Sequence, residues 1–525
     1  MTALTFTYGS EKEEWIKEAV GAFNAEAHRV ASGKTIRVEA LPMGSGECID
    51  EILAGTRQTH LVSPASGAYV AIGNARWRVK SGGRDLVDKT ENLLLSPVVI
   101  AMWRPMAEAL GWGTKPVGWA DILALARDPQ GWARVGHPEW GPFKFGHTHP
   151  EFSNSGLISL LAETYAGAGK KDNLTVADVG APATVATVAG IEGGVVHYGS
   201  STGFFGKKII ANGPGYLNAA VLYESMVIES YGANPPPSTP LVAIYPKEGT
   251  FWSDHPVGIV EREWVTPEHH EAARVLIDYL LAPARQQRAL AYGFRPASVD
   301  VPVGAPIDAA HGVDAKEPQT TLPVPPVEVL DAVLARFKEV KKPASLTMVL
   351  DISGSMNQDR KIDNARAGAL QFVGAVDDRD RLSLLVFNNQ PRWVMQNGEL
   401  ARDRPRANST LGGLIADGGT ALYDSVLAAY QDALARQGNA DAARITALVV
   451  LTDGADTDSK TKLPALLDAI RFDGERRTIR VFTIAYGRDA DTKILRQIAD
   501  ATQAKSYQGT PENIRSIFRD IATFF

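Results

Sequence analysis

The residues best suited to do chemistry are Asp351, Ser353 and Ser355, in the run Asp351-Ile352-Ser353-Gly354-Ser355. A carboxylate and two hydroxyls are hard oxygen donors, the type that Mg²⁺ prefers. Gly354 lets the backbone fold tightly enough for both hydroxyls to face one point. Two later segments add donors of the same kind: Thr420 follows Gly418-Gly419, and Asp453 stands in Thr452-Asp453-Gly454. The elements that must position them are visible as hydrophobic runs. Leu346 to Leu350, preceded by Pro343, reads as a buried parallel strand ending in Asp351. Ala447 to Leu451 is a second such strand, and a helical pattern runs from Thr420 through Leu422, Val426 and Leu427. In open α/β sheets the carboxyl ends of strands are where ligands bind.

This ordered triple resembles the metal-ion-dependent adhesion site of von Willebrand factor A (integrin I-like) domains, across residues 343–525. Asp351, Ser353, Ser355, Thr420 and Asp453 match the motif with no position missing. The resemblance implies direct ligation of Mg²⁺ or Mn²⁺ by Ser353 and Ser355. It implies that Thr420 and Asp453 alternate between direct and water-mediated contact, and that Asp351 ties the loop together. Mg²⁺ demands near-octahedral coordination, so this set leaves at least one position for an outside ligand. An Asp or Glu from a protein partner would complete both charge and geometry.

The chain has 525 residues, too many for one hydrophobic core. Its net charge of −6 and its lack of basic runs argue against nucleic acid as a partner. Cys48 stands alone and cannot form an intrachain disulfide. No apolar stretch approaches the roughly 18 residues of a membrane span. Strand-like Leu4 to Tyr8 begins almost at Met1, so any export signal or anchor is expected to have been removed.

Residues 1–296 alternate strand and helix patterns. Three early strand ends give way to Gly/Ser loops that open helices: Gly9-Ser10, Met43-Gly44-Ser45-Gly46 and Ser63-Pro64-Ala65-Ser66-Gly67. Such loops offer hydroxyls and helix N-terminal N–H groups to a ligand, especially an anion. The loop from His149-Pro150 to Ser155-Gly156 and the run Gly199-Ser200-Ser201-Thr202-Gly203 repeat the arrangement. Ala219 to Ser230 reads as an amphipathic helix. The layout resembles a type II periplasmic or extracellular solute-binding protein. The phrases that carry the likeness are Gly9-Ser10, Ser63 to Gly67, His149 to Gly156, and Pro283, Gln286 and Gln287 ahead of Gly293-Phe294-Arg295-Pro296. It implies two lobes, about 1–95 with 256–296 and about 96–255, joined by strands near 93–98 and 241–260. A small polar or anionic solute is expected between the lobes, at Ser10, Ser45, Ser66, Ser155 and Ser201.

Residues 297–342 form a Pro-rich linker and a connecting helix. Pro302, Pro306, Pro318, Pro323, Pro325 and Pro326 make the first part extended. Val329, Leu330, Val333, Leu334 and Phe337 share one face of the helix, which is expected to pack between the domains. Beyond residue 343, alternating strands and helices imply a doubly wound, mostly parallel sheet with helices on both faces. The fold class is therefore α/β throughout, a bilobal solute-binding fold followed by a von Willebrand factor A sheet.

Enzyme readings are weaker. Gly199-Ser200-Ser201-Thr202-Gly203 fits Gly-x-Ser-x-Gly, which would make Ser201 a hydrolase nucleophile with His255, His269 or His270 downstream. His147-Thr148-His149 has no HExxH or Cys pair to support a catalytic metal. Gly44-Ser45-Gly46 lacks the Lys-Ser/Thr of a phosphate-binding loop. The expectation is an extracytoplasmic binding protein, not an enzyme, anchored through a removed N-terminal segment. Its alternative is a solute-binding fold that serves only as a scaffold.

Overall fold

The computed structural model describes residues 1–437, 443–472 and 479–525. Two compact units divide the chain, Met1–Lys341 and Lys342–Phe525.

The first unit contains two sheets. The strands Ile36–Met43, Thr2–Gly9 and Leu61–Ser63 lie side by side in parallel, with Phe6 opposite both Ala40 and Leu61. The antiparallel strands Pro256–Val260 and Val87–Asn92 complete this sheet. Strand Thr2–Gly9 is buried on both faces at its C-terminal half, which is why its pattern is a run rather than an alternation. The three expected Gly/Ser loops thus leave neighbouring strands at one edge. The second sheet is ordered Trp252–Ser253, Leu94–Trp103, Ala219–Tyr223, Phe145–Thr148 and Val195–Gly199. Leu241–Ile244 and Arg295–Pro296 also pair with Leu94–Trp103.

The helix expected over Ala219 to Ser230 is half strand. Ala219–Tyr223 pairs with Leu94–Trp103 and Phe145–Thr148, and the helix begins only at Glu224. All five residues of Ala219–Tyr223 are buried, so a short apolar run carried no period that could separate strand from helix. The Pro-rich stretch is built into this unit. Val301, Ile307, Val313 and Leu322 are buried, and Thr321 bridges to Thr250. Helix Val327–Val340 packs on this unit as well. Its Phe337 ring meets His149 and Tyr198 edge-on at 5.2 and 5.4 Å.

The second unit is a six-stranded sheet. Its order is Pro391–Glu399, Arg381–Phe387, Ala344–Asp351, Ile445–Thr452, Arg480–Tyr486 and Ser506–Gly509, all parallel except the first. Ala344–Asp351 and Ile445–Thr452 are central and fully buried, which fits their unbroken apolar runs. Helix Leu422–Gln437 lies on one face and packs Val426, Ala429 and Tyr430 into the core.

Candidate functional site

The central strands of the second unit bring the predicted oxygen donors together. Asp351 ends strand Ala344–Asp351, and Asp453 follows Thr452, the last residue of the neighbouring parallel strand. Parallel pairing in register places both carboxylates at the same sheet edge. Ser355 Oγ donates to Asp453 Oδ1 at 2.7 Å, and the Ser353 and Ser355 hydroxyls lie 3.0 Å apart. Asp351 faces inward: its Oδ1 accepts from the Ser353 N–H at 2.7 Å and its Oδ2 from the Thr452 hydroxyl. It holds the loop, and its burial together with the Asp453 charge raises its carboxyl above the usual range.

The third segment is tied to the first by backbone. Gly354 N–H donates to the Gly418 carbonyl at 2.9 Å. Gly418 has φ +84°, a conformation that glycine adopts without strain. A Cβ on Gly419 would lie 2.0 Å from Asp458 Oδ2. That carboxylate accepts from the Thr420 N–H at 2.9 Å, and Thr457 Oγ1 accepts from the same N–H at 3.0 Å. Thr420 is buried at the mouth of the cluster, its hydroxyl 3.8 Å from the position a Gly454 Cβ would take.

Lys361, Thr452, Thr457 and Asp458 were not singled out from sequence. Lys361 matters most. It opens helix Lys361–Ala375, and its ammonium sits 2.7 Å from Asp453 Oδ2 with both side chains buried. Its position six residues after Ser355, at the start of a helix aimed at the same strand ends, was the available signal. Two carboxylates against one ammonium leave the cluster with a net negative charge. The donor set is oxygen only, and that residual charge suits a hard divalent cation such as Mg²⁺. The residues present fit the ion: Ser353, Ser355 and Thr420 would ligate it, with Asp351 and Asp453 in or next to the coordination sphere.

In the first unit the predicted serines are buried and engaged with protein. Ser10 Oγ donates to Ser201 Oγ at 2.9 Å and accepts from the Gly203 N–H at 3.0 Å. Ser155 joins the same region through Thr202, whose hydroxyl donates to Ser155 Oγ at 3.0 Å. Ser45 Oγ accepts from the Ala65 N–H, and Ser66 Oγ caps its own helix at the Ala68 N–H. The helix N-termini expected to receive an anion have intramolecular acceptors. Gly46 N–H donates to the Phe152 carbonyl at 2.9 Å, and Gly67 N–H to Asp254 Oδ1 at 2.9 Å. The contact between lobes is backbone-close: a Cβ on Gly46 would lie 2.1 Å from the Glu151 carbonyl, and one on Gly203 2.5 Å from that of Ser10. Beside Ser10 a pocket of about 400 Å³ opens, lined by Glu13, Glu14, Glu229 and Lys207 among others.

The histidines considered for a hydrolase sit elsewhere. His255 Nδ1 lies 3.2 Å from the Lys12 ammonium and 3.3 Å from Glu11. His269 caps a helix through Thr266, and His270 faces Glu261. Burial lifts the Glu11 carboxyl, but the Lys12 ammonium and the His255 hydrogen bond outweigh it and hold Glu11 at about 2.

Comparison with known proteins follows this division. Residues 4–295 match the bacterial extracellular solute-binding protein family, and residues 345–519 match the von Willebrand factor type A domain. An uncharacterised protein from Synechocystis sp. is 27% identical over 180 residues, 34% of this chain and 41% of that protein. Inter-alpha-trypsin inhibitor heavy chain H4 from Sus scrofa is 27% identical over 161 residues, 30% of this chain and 17% of that protein. The chain thus spans less than half of either relative. Among solved structures, the periplasmic binding protein AfuA from Actinobacillus pleuropneumoniae aligns with TM-score 0.46 and 12% identity, over 66% of this chain and 100% of that one. A von Willebrand factor type A protein from Catenulispora acidiphila aligns with TM-score 0.30 and 24% identity, over 35% and 42% of the two chains. The first family is described as extracellular and solute-binding. No helix among the described residues is long and apolar enough to cross a membrane. The chain belongs to the bacterial extracellular solute-binding protein family and carries a von Willebrand factor type A domain after that module.

Proposed function

We propose that the second unit is a divalent-cation-dependent adhesion module that recognises an acidic group on a protein partner, outside the cytoplasm. The observation that carries this reading is the convergence of three separate segments on one oxygen cluster, through the Ser355–Asp453 contact of 2.7 Å and the Gly354–Gly418 backbone bond of 2.9 Å. When bound, Mg²⁺ or Mn²⁺ supplies an electrophilic coordination position for an Asp or Glu of the partner. Ser353 and Ser355 orient neutral hydroxyls, so the site keeps its attraction for an incoming carboxylate. Lys361 occupies one oxygen of Asp453, which favours Asp453 acting from outside direct coordination. Gly418 and Gly419 provide the backbone freedom for Thr420 to join or leave. Capture of a partner from an envelope extract tests this. Binding is expected to be lost with EDTA and with Thr420→Ala; capture that survives both would place the adhesive surface elsewhere.

For the first unit, a scaffold role is favoured over solute transport. Its support is that the hydroxyls of Ser10, Ser45, Ser66, Ser155 and Ser201 each have a hydrogen-bond partner within the protein, and that Phe152 and Asp254 already accept from the helix N-termini.

A further inference from the structure

Inside the second lobe of the first unit, three ionisable groups outside both candidate sites meet at one point. His147 lies on strand Phe145–Thr148, Glu163 on helix Asn154–Ala168, and Glu192 ends helix Pro182–Glu192; each is 0% exposed. One ligand atom from each lies within 4.8 Å of the other two. His147 Nδ1 is 2.7 Å from the Thr148 carbonyl, which can only accept, so Nδ1 carries a proton. In the neutral imidazole Nε2 then holds a lone pair, and it faces Glu192 Oε1 at 2.8 Å. Two lone pairs at that distance repel unless a proton or a metal ion stands between them. The other Glu192 oxygen accepts from the Tyr198 hydroxyl at 2.7 Å. Glu163 Oε1 accepts from Ser159 at 2.7 Å, while Glu163 Oε2 is buried without a partner. Three ligand atoms thus meet in a fully buried place, one of them without a partner.

We propose that His147 Nε2, Glu163 and Glu192 bind one divalent transition-metal ion, with Zn²⁺ the best chemical match. One imidazole nitrogen with carboxylate oxygens suits Zn²⁺ better than the hard ions Mg²⁺ or Ca²⁺. The Thr148 carbonyl, the Tyr198 hydroxyl and the Ser159 hydroxyl fix each ligand from behind, the arrangement that holds metal ligands in orientation. Tetrahedral bond lengths near 2.1 Å put ligand atoms roughly 3.4 Å apart, so the His147–Glu192 pair need open only slightly. The ion would enter as the chain folds and would tie one strand to two helices.

The test uses the full-length chain carrying Asp351→Ala, so that the oxygen cluster of the second unit does not contribute. The protein is produced in zinc-supplemented medium and dialysed against a chelator. Its metal content is then measured, with X-ray absorption fine structure at the zinc edge. About one zinc per chain with an imidazole neighbour is expected, and Glu163→Gln or His147→Gln should each lower retained zinc about tenfold or more. If His147→Gln does not fold, the isosteric Glu163→Gln decides. A parent protein free of zinc would overturn the site, leaving a carboxyl that shares a proton with Glu192. Equal zinc in parent and Glu163→Gln would overturn it too.

Discussion

Asp453 divides its carboxylate oxygens between Ser355 at 2.7 Å and Lys361 at 2.7 Å. The ammonium therefore competes with a divalent cation for the same charge. Removing it leaves Asp351 and Asp453 without a paired cation, and breaking one side of a buried ion pair costs about 3–5 kcal/mol. Lys361→Met is expected to lower the melting temperature of the second unit in EDTA and to widen the gap between melts with and without Mg²⁺. A gap that narrows would mean that Lys361 supports the metal rather than opposing it. Glu11 makes a comparable argument in the first unit. Its folded carboxyl titrates at about 2, below the usual unfolded value near 4.3, so its contribution is fully present above that unfolded value and is lost as pH falls through 2. Glu11→Gln should destabilise by roughly 3 kcal/mol at neutral pH, and the difference from wild type should shrink on acidification from pH 5 towards pH 2. A constant difference across that range would show that the loss is one of packing.

Helix Val327–Val340 shows what an element's own pattern tells and what it withholds. The stripe Val329, Leu330, Val333, Leu334 and Phe337 predicts a helix with one buried face, and all five are buried. The stripe names no neighbour; within the first unit its Phe337 meets His149 and Tyr198. Phe337→Ala is expected to cost about 3–5 kcal/mol and to act on the first unit's unfolding transition alone. A shift in the second unit's transition would contradict that assignment. Other elements differ in legibility for similar reasons. Ala344–Asp351 and Ile445–Thr452 are largely apolar, the first ending in a carboxylate and the second followed by one, so strand and site were readable together. Leu400–Gly412 carries three arginines and an internal proline and buries only Leu400, Ala407 and Leu411, too few apolar positions to mark a helix. The oxygen cluster was legible because its donors follow strand ends in sequence. Lys361 and Asp458 were not, since each reaches the site from a different segment and only the folded sheet shows which carboxylate or N–H it meets.

At the scale of the whole molecule the chain joins two units of different character. The first has its expected ligand hydroxyls turned inward, and the second gathers oxygen donors at a sheet edge with a residual negative charge. An ion that binds only the folded second unit stabilises that unit by mass action, in proportion to the logarithm of its concentration over its dissociation constant. The imidazole-containing cluster proposed in the first unit suits Zn²⁺ rather than Mg²⁺, so that unit is expected not to respond to Mg²⁺. Calorimetric melting of the metal-free full chain with and without excess Mg²⁺, for wild type and Asp351→Ala, tests this most directly. In the wild type Mg²⁺ should raise the transition of the second unit and leave that of the first in place, and in Asp351→Ala the two melts should coincide. Coincident melts in the wild type would contradict a divalent-cation site at Ser353, Ser355 and Thr420.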